Sequence, residues 1–531
     1  MADAEVPNAP AAEGEAPAVN KAAQRAATKK AKAAARAAKA EAPTQADPDD
    51  PLASRYGDSE LIQSRSITGR VWTDVGSLGG DSVGKSVLVR ARVHAVRGTG
   101  KNCFLVLRQG WATVQAVVFA DGVAASKPMV KYAQRLPKES LVDVEGTVVA
   151  PKEAVVSCSQ SDVEIQVNGV HCVSRAAELP FQVTDASRSE EEVRKAAEAG
   201  EQFATVLQDN RLNHRYLDLR TPANQGIFRL QSAVCQLFRE ILLAKGFCEI
   251  HTPKLIGGAS EGGAAVFRLQ YMGQPACLAQ SPQLYKQMAI CSDLGRVFEI
   301  GPVFRAETSN THRHLCEFTG LDFEMAIHEH YSEVLDVVED LFMNMFEGLR
   351  ARFSRELAAV ASQFPFEPFE AKPVRLLFSE GIKMLQAAGH DVDPLGDLST
   401  ETEKALGALV KEEYATDFYI LHRYPAAVRP FYTMPAADDP NYSNSFDVFM
   451  RGEEIISGAQ RVHDAALLVE RARACEVPVE TIQAYVDSFK LGAPPHGGVG
   501  VGLERVVMLY CGLNNIRKTS MFPRDPKRLS P

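Results

Sequence analysis

No apolar run in this chain of 531 residues approaches the ~18–20 needed to cross a bilayer as a helix, so a membrane role is not expected. Its ten cysteines (103, 158, 172, 235, 248, 277, 291, 316, 475 and 511) never form a Cys-x-x-Cys pair. That removes the usual zinc and disulfide signatures and leaves reduced, mostly buried thiols of a cytosolic protein as the expectation. The first residues, Met-Ala-Asp-Ala-Glu, are acidic and lack an apolar h-region, which argues against a secretory or mitochondrial leader. Also missing are a glycine-rich Rossmann turn and any 20–50-residue repeat. Positive charge is in deficit: the net of −9 means that any RNA contact must use local basic patches.

What is present divides into about three domains' worth of chain. Residues 1–66 form an alanine-rich extension with few core-forming side chains. Within it Lys21, Arg25, Lys29, Lys32, Arg36 and Lys39 recur every three or four residues, a single stripe roughly 80° wide on a helix. A helix with no apolar face has a reason to form when it meets a polyanion; a disordered solubilising tail is the plainer alternative. Residues 67–175 form the next domain, and from about Ser86 to Ser174 the period changes to two. Five strands starting near Val87, Cys103, Thr113, Leu141 and Asp162, with a short helix Lys127–Gln134 after the third, match the order of an OB-fold. Phe104 and Arg108 share one face of the second strand, as a stacking ring beside a cation would, although Phe104 could equally be barrel core.

Residues 176–221 are polar and acidic and read as a hinge. The span 222–531 opens with an amphipathic helix, Asn224 to Lys245, whose apolar stripe runs from Ile227 to Ile241. Gly246 ends it, and a strand Phe247–Lys254 carrying Pro253 follows; Pro253 could be a simple edge-strand proline.

Two later segments carry the chemistry. Phe304–Phe318 packs two arginines, two histidines and two glutamates into a loop between strand-like runs, where arginine forks can meet carboxylate or phosphate oxygens. Gly497-Gly-Val-Gly-Val-Gly-Leu-Glu-Arg505 places glycines 498, 500 and 502 on one bare strand face, with Arg505 in the first turn of a helix. Alone, those glycines could mark tight packing. Together the two segments resemble motifs 2 and 3 of the class II aminoacyl-tRNA synthetases. With Gly258–Ala264, Gln280–Gln287, Arg451–Arg461 and Ser520–Lys527, the resemblance narrows to the eukaryotic cytosolic aspartyl-tRNA synthetases and covers the chain from about Thr68 onward.

That resemblance implies an α+β protein: a five-stranded OB-fold barrel plus a class II catalytic domain with an antiparallel sheet flanked by helices. It implies an ATP-dependent aspartate–tRNA ligase acting in the cytoplasm on L-aspartate, ATP with Mg²⁺, and tRNA-Asp. Arg305 would bridge the aspartate carboxylate and the α-phosphate, with Arg505 as the second catalytic cation. Ala306, Glu307, Arg313, His314, Leu315, Phe318, Glu454, Gly502, Leu503, Glu504 and Arg505 would surround ATP. Ser260, Glu261, Gln283, Leu284, Tyr285, Lys286, Asp322, Ser457 and Arg461 would surround aspartate, Lys286 and Arg461 reading its side-chain carboxylate. Glu454 and Ser457 would hold Mg²⁺, which requires the segment between them to be bent or helical. Phe104, Arg108, Gln115 and Glu164 would read the anticodon, the basic stripe would meet the tRNA backbone, and Pro253 would lie in a homodimer interface. Membership of a larger multi-synthetase complex is left open. Two rivals stand beside this reading: an asparaginyl enzyme, against which Lys286 argues, and a synthetase-like RNA-binding scaffold without catalysis, which would be free to lose Arg305, Glu454 or Arg505.

Overall fold

A computed structural model describes residues 45–258 and 266–531, divided into two compact units, Met1–Pro180 and Phe181–Pro531. The first is a barrel. Its strands are β1 (Tyr56–Asp58), β2 (Ser86–Thr99), β3 (Asn102–Gln109), β4 (Ala112–Phe119), β5 (Leu141–Val149) and β6 (Glu164–Ser174). β2, β3 and β4 form an antiparallel meander, β4 pairs β6 in parallel, and β5 closes the ring against β6 and β2. The helix Lys127–Gln134 stands where expected, its first turn capped by Ser126. Strand alternation sends Leu105, Leu107, Val114, Ala116 and Ile165 into the barrel core. β1 lies inside the stretch read as an extension. It pairs β6 in parallel and buries Tyr56, so the barrel unit begins before residue 67. Three residues are too few to announce a period.

The stretch 176–221 is no free hinge beyond Pro180. Residues 183–218 form four short helices of the second unit. Ser189 and Glu192 make a reciprocal capping box, so the acidic run is a helix start rather than a polar spacer. Arg215, buried against Asp218 at 2.6 Å, donates to the carbonyl of Ser520 at 2.9 Å and ties this region to the chain's last residues.

The second unit is built on an eight-stranded sheet. Its members are β7 (Cys248–Glu249), β11 (Arg296–Phe304), β12 (Glu317–Ala326), β13 (Arg375–Leu377), β14 (Phe418–His422), β15 (Ser445–Met450), β16 (Glu453–Gln460) and β17 (His496–Gly502). They lie in the order β13-β14-β15-β16-β17-β12-β11-β7, antiparallel except at the two ends. β8 (Leu255–Ile256), β9 (Arg268–Tyr271) and β10 (Gln274–Leu278) make a separate small sheet. The strand expected across Phe247–Lys254 is thus only β7, and Pro253 sits exposed between β7 and β8. One sheet face packs on the helices Pro222–Ala244 and Ser332–Arg352 through Leu230, Val234, Phe238, Phe342 and Phe346. Thr221 caps the first of these, and Gly246 leaves it at φ +80°, the left-handed value that favours glycine.

Candidate active site

β12, β17 and β16 are neighbours, and their odd-or-even alternation decides what each face carries. Leu321, Phe323, Met325, Val499 and Val501 enter the helical core. The opposite face therefore presents Gly320, Asp322 and Glu324 beside Gly498, Gly500 and Gly502. A Cβ at Gly498 would stand 2.3 Å from Glu324 Oε2 and 2.2 Å from the Phe323 carbonyl; one at Gly500 would stand 3.1 Å from Asp322 Oδ1. The bare strand makes room for two carboxylates of its neighbour and for a cavity of about 480 Å³ above them.

At one end of this cavity lies a buried ion network. Lys286, on the helix Gln283–Cys291, sits 3.1 Å from Asp322 and 3.3 Å from Glu324, and donates to the Val499 carbonyl at 2.8 Å. Arg461 forks onto Glu324 at 2.8 and 3.2 Å and donates to the Gly498 carbonyl at 2.9 Å. All four side chains are buried. Burial raises the Asp322 carboxyl despite Lys286; for Glu324, burial is outweighed by Arg461 and Lys286, which hold it below the usual range. Asp322, Arg461 and Gln283 line the cavity, whereas Lys286 lies behind Asp322. Leu284 and Tyr285, expected at aspartate, face elsewhere. Leu284 packs in an apolar cluster with Tyr485 and Phe489, and Tyr285 packs near Ile256 and Cys277. Glu324, which binds both cations, is absent from the sequence-based site; its spacing of two from Asp322 on one strand is the signal that could have found it.

The other end is lined by the loop between β11 and β12 and by the start of the helix Leu503–Tyr510. Arg305 follows β11, its backbone closed on Cys316 at 2.9 Å and its guanidinium carbon 5.6 Å from the centre of the Phe318 ring. Ala306 continues the loop, and the Glu307 carboxylate caps it by accepting from Ser309 N at 2.9 Å. Arg505 donates to the carbonyls of Glu454 at 2.7 Å and Arg313 at 3.3 Å. Arg313 is itself held by Glu403 at 2.6 Å, an acid from the helix Thr400–Tyr414 that no motif announces. Burial, with Arg505 and Arg313 nearby, pushes His314 down to about 4, so it is a neutral hydrogen-bonding group. Leu315 and Leu503 are buried, Leu503 in the core beside Gly502. Glu504 accepts from Thr319 N at 3.0 Å, its carboxyl pushed up to about 7 by burial.

Glu454 and Ser457 lie on one strand but three residues apart, which ordinary alternation would put on opposite faces. A β-bulge resolves this. Val448 pairs with Ile456 and Phe449 with Glu454, leaving Ile455 as the extra residue. Ile455 and Ile456 both enter the core, and Glu454 and Ser457 both line the cavity. Asp447, paired in register with Ser457, is a further acid that the sequence reading lacks. Arg429 spans the two, 2.6 Å from Asp447 and 3.1 Å from the Ser457 hydroxyl. Burial and then the facing Asp447 push Glu454 up to about 7. Crowded oxygen donors of this kind suit a hard divalent cation, which commonly takes one or two carboxylates and leaves its remaining positions to phosphate and water.

On the barrel, Phe104, Gln115 and Glu164 fall on the outward face of three adjacent strands. Phe104 pairs with Val117, and Gln115 donates to Glu164 at 2.9 Å. Arg108 shares that face but is buried, with both Glu139 oxygens at 2.7 and 2.9 Å. It braces the barrel instead of standing open beside Phe104. Arg97, cross-strand from Phe104 and exposed, is the accessible cation. Ser260, Glu261 and the stripe from Lys21 to Lys39 lie outside the described residues. Six of the ten cysteines are buried and none is in a disulfide. No helix among the described residues is long and apolar enough to cross a membrane.

Residues 207–526, more than half of the chain, match the family of tRNA synthetases class II (D, K and N), and residues 87–173 match the OB-fold nucleic acid binding domain. Aspartate–tRNA ligase 1, cytoplasmic, of Arabidopsis thaliana is 57% identical over 487 residues, 91% of either chain. An aspartyl tRNA synthetase from Entamoeba histolytica superimposes with a TM-score of 0.84 at 46% identity, over 90% of this chain and 96% of that one. Asparaginyl-tRNA synthetase from Pyrococcus horikoshii, complexed with asparaginyl-adenylate, gives 0.74 at 30% identity over 88% and 100%. The chain belongs to the class II aminoacyl-tRNA synthetases of the D, K and N group and, within it, to the aspartate–tRNA ligases.

Proposed function

We propose that the protein activates L-aspartate with ATP to aspartyl-adenylate, releasing pyrophosphate, and transfers the aspartyl group to the 3′ end of tRNA-Asp. The observation that carries this is the buried Lys286–Asp322–Glu324–Arg461 network at one end of a cavity whose other end holds Arg305 and Arg505. Activation brings a carboxylate onto the α-phosphate, and two anions must be held in contact. Arginine forks do this by positioning and by neutralising charge in the displacement, with no protein nucleophile. Arg305 takes the bridge between aspartate and the α-phosphate, and Arg505 faces Phe318 across adenine. His314, neutral, contributes a hydrogen bond but no charge. Arg313 reaches ATP by exchanging Glu403 for phosphate.

Arg461, with Lys286 behind it, reads the aspartate side chain. Asparagine would present an NH₂ donor to groups that only donate. A buried polar mismatch of this kind discriminates by ~10⁴ or more, which makes editing unnecessary. An asparaginyl function is less well supported, since a neutral amide calls for no such cations; a scaffold without catalysis would not keep Arg305, Glu454 and Arg505 together. Glu454 and Ser457, with Asp447, would hold Mg²⁺, which when bound neutralises phosphate charge. Ser260 and Glu261 would close over the substrate. Phe104, Gln115 and Glu164 would read the anticodon, with Arg97 in the place expected of Arg108. Pro253, at the β7 edge of the large sheet, would lie in a homodimer contact. Relatives named as cytoplasmic support the cytoplasm as the place of action.

Charging tests this reading. The full chain should aminoacylate tRNA-Asp with aspartate and fail with asparagine. Charging with asparagine, or none with either, would overturn it.

A further inference from the structure

Behind Gln283 runs a hydrogen-bond chain that the reaction as described does not use. His496 is buried at the start of β17, and its Nδ1 lies 2.8 Å from the Pro494 carbonyl. A carbonyl only accepts, so Nδ1 carries the proton and donates. Burial, partly offset by Glu324, pushes the pKa of this imidazole below the ordinary histidine value, so the ring is neutral and Nε2 is an acceptor. Nε2 sits 2.9 Å from the Gln287 amide nitrogen, which therefore donates to it. With that nitrogen committed, Gln287 Oε1 is left to accept, and it does so twice: from Tyr485 OH at 3.0 Å and from Gln283 Nε2 at 3.0 Å. Gln287 is fully buried, so water offers no substitute.

The consequence falls on Gln283. Its nitrogen faces Gln287, and its Oε1 accepts no hydrogen bond among the described residues while the side chain lines the cavity. An amide free to turn would show a substrate ammonium its NH₂ half the time.

We propose that His496, Gln287 and Tyr485 form a polarity relay that fixes the Gln283 carboxamide with its oxygen towards the substrate's α-ammonium, making His496 and Gln287 positioning residues for amino-acid recognition. The proposal deepens the function proposed above and rests on it, because Gln283 is read there as facing the amine.

Kinetics of the full chain in aspartate-dependent ATP–pyrophosphate exchange test it, with succinate, which lacks the ammonium, as competing inhibitor. Gln287→Leu and His496→Leu should each raise the KM for aspartate about tenfold or more, as expected for a lost hydrogen bond to a charged group, with the KM for ATP little changed. His496→Gln, whose Oε1 can accept where Nε2 did, should recover most of the loss. Succinate inhibition should stay within about twofold in every variant, since no ammonium is there to be oriented. An unchanged KM for aspartate, or aspartate and succinate weakened together, would overturn the relay, the latter marking a collapsed pocket. Gln283→Leu separates the two levels. If it too leaves the KM for aspartate unchanged, the assignment of Gln283 fails and the relay with it; if it raises KM while the relay variants do not, only the relay fails.

Discussion

Lys286 holds two buried carboxylates and lies one layer behind the cavity wall, so its removal should be felt twice. Lys286→Met leaves Asp322 unpaired and Glu324 with Arg461 alone. Breaking a buried pair from one side costs ~3–5 kcal/mol, which thermal or denaturant unfolding will read as a lower midpoint. The preference for aspartate over asparagine should narrow as well. A variant that keeps wild-type stability and selectivity would show that Arg461 alone reads the side chain. Arg305 is different, being exposed on a loop and outside the core. Arg305→Ala should cut exchange at least a hundredfold, about the loss seen when a donor to developing charge is removed, and leave the unfolding midpoint in place.

At the scale of elements, β17 and the helix after it form one device: glycines clear a face, and the helix delivers Glu504 and Arg505 to its end. Glu504 is buried with its carboxyl near 7, above its value of about 4.5 in an unfolded chain. The native state then holds the proton that the unfolded state has released, so this group's contribution to stability falls as pH rises from about 4.5 to 7. Glu504→Gln keeps an acceptor for Thr319 N but cannot ionise. Its stability relative to wild type should therefore climb over that range by on the order of 1–3 kcal/mol and level off above it. A flat difference from pH 4.5 to 8 would contradict the buried, protonating carboxyl.

The glycine strand was legible because alternation is local, and so was the arginine loop, because six ionisable side chains between strands have few bland explanations. What escaped was set by distant partners. Glu139 neutralises Arg108 from another strand end, Glu403 takes Arg313 from a helix 90 residues on, and the bulge at Ile455 turns Glu454 and Ser457 to one face against the strand's period. None of these pairings has a spacing to read. The polar run at Ser187 contains a visible capping box, yet it reads as a hinge because its helix is short and charged.

At the scale of the whole molecule, the residues proposed for activation and those proposed for reading the anticodon fall in different compact units, and the two activities should separate experimentally. Phe104→Ala should cost ~1–3 kcal/mol of tRNA affinity when base stacking disappears and leave pyrophosphate exchange unchanged. Impaired exchange with normal tRNA affinity would assign Phe104 to packing. Neutralising Lys21, Arg25, Lys29, Lys32, Arg36 and Lys39 should flatten the slope of log K for tRNA against log salt by up to about 0.7–0.9 for every phosphate the stripe ceases to neutralise. Anticodon preference should not change, since phosphate binding positions without specifying. A wild-type slope would leave the stripe as a solubilising tail or a protein-docking segment.

The measurement that bears most directly on the whole account is ATP–pyrophosphate exchange by the full chain with Mg²⁺, run in parallel with aspartate and with asparagine. The account predicts exchange with aspartate and a preference over asparagine of ~10⁴ or more, the scale set by a mismatched buried donor. Equal exchange with both amino acids, or exchange with asparagine alone, would contradict the reading of Lys286 and Arg461 on which everything else rests.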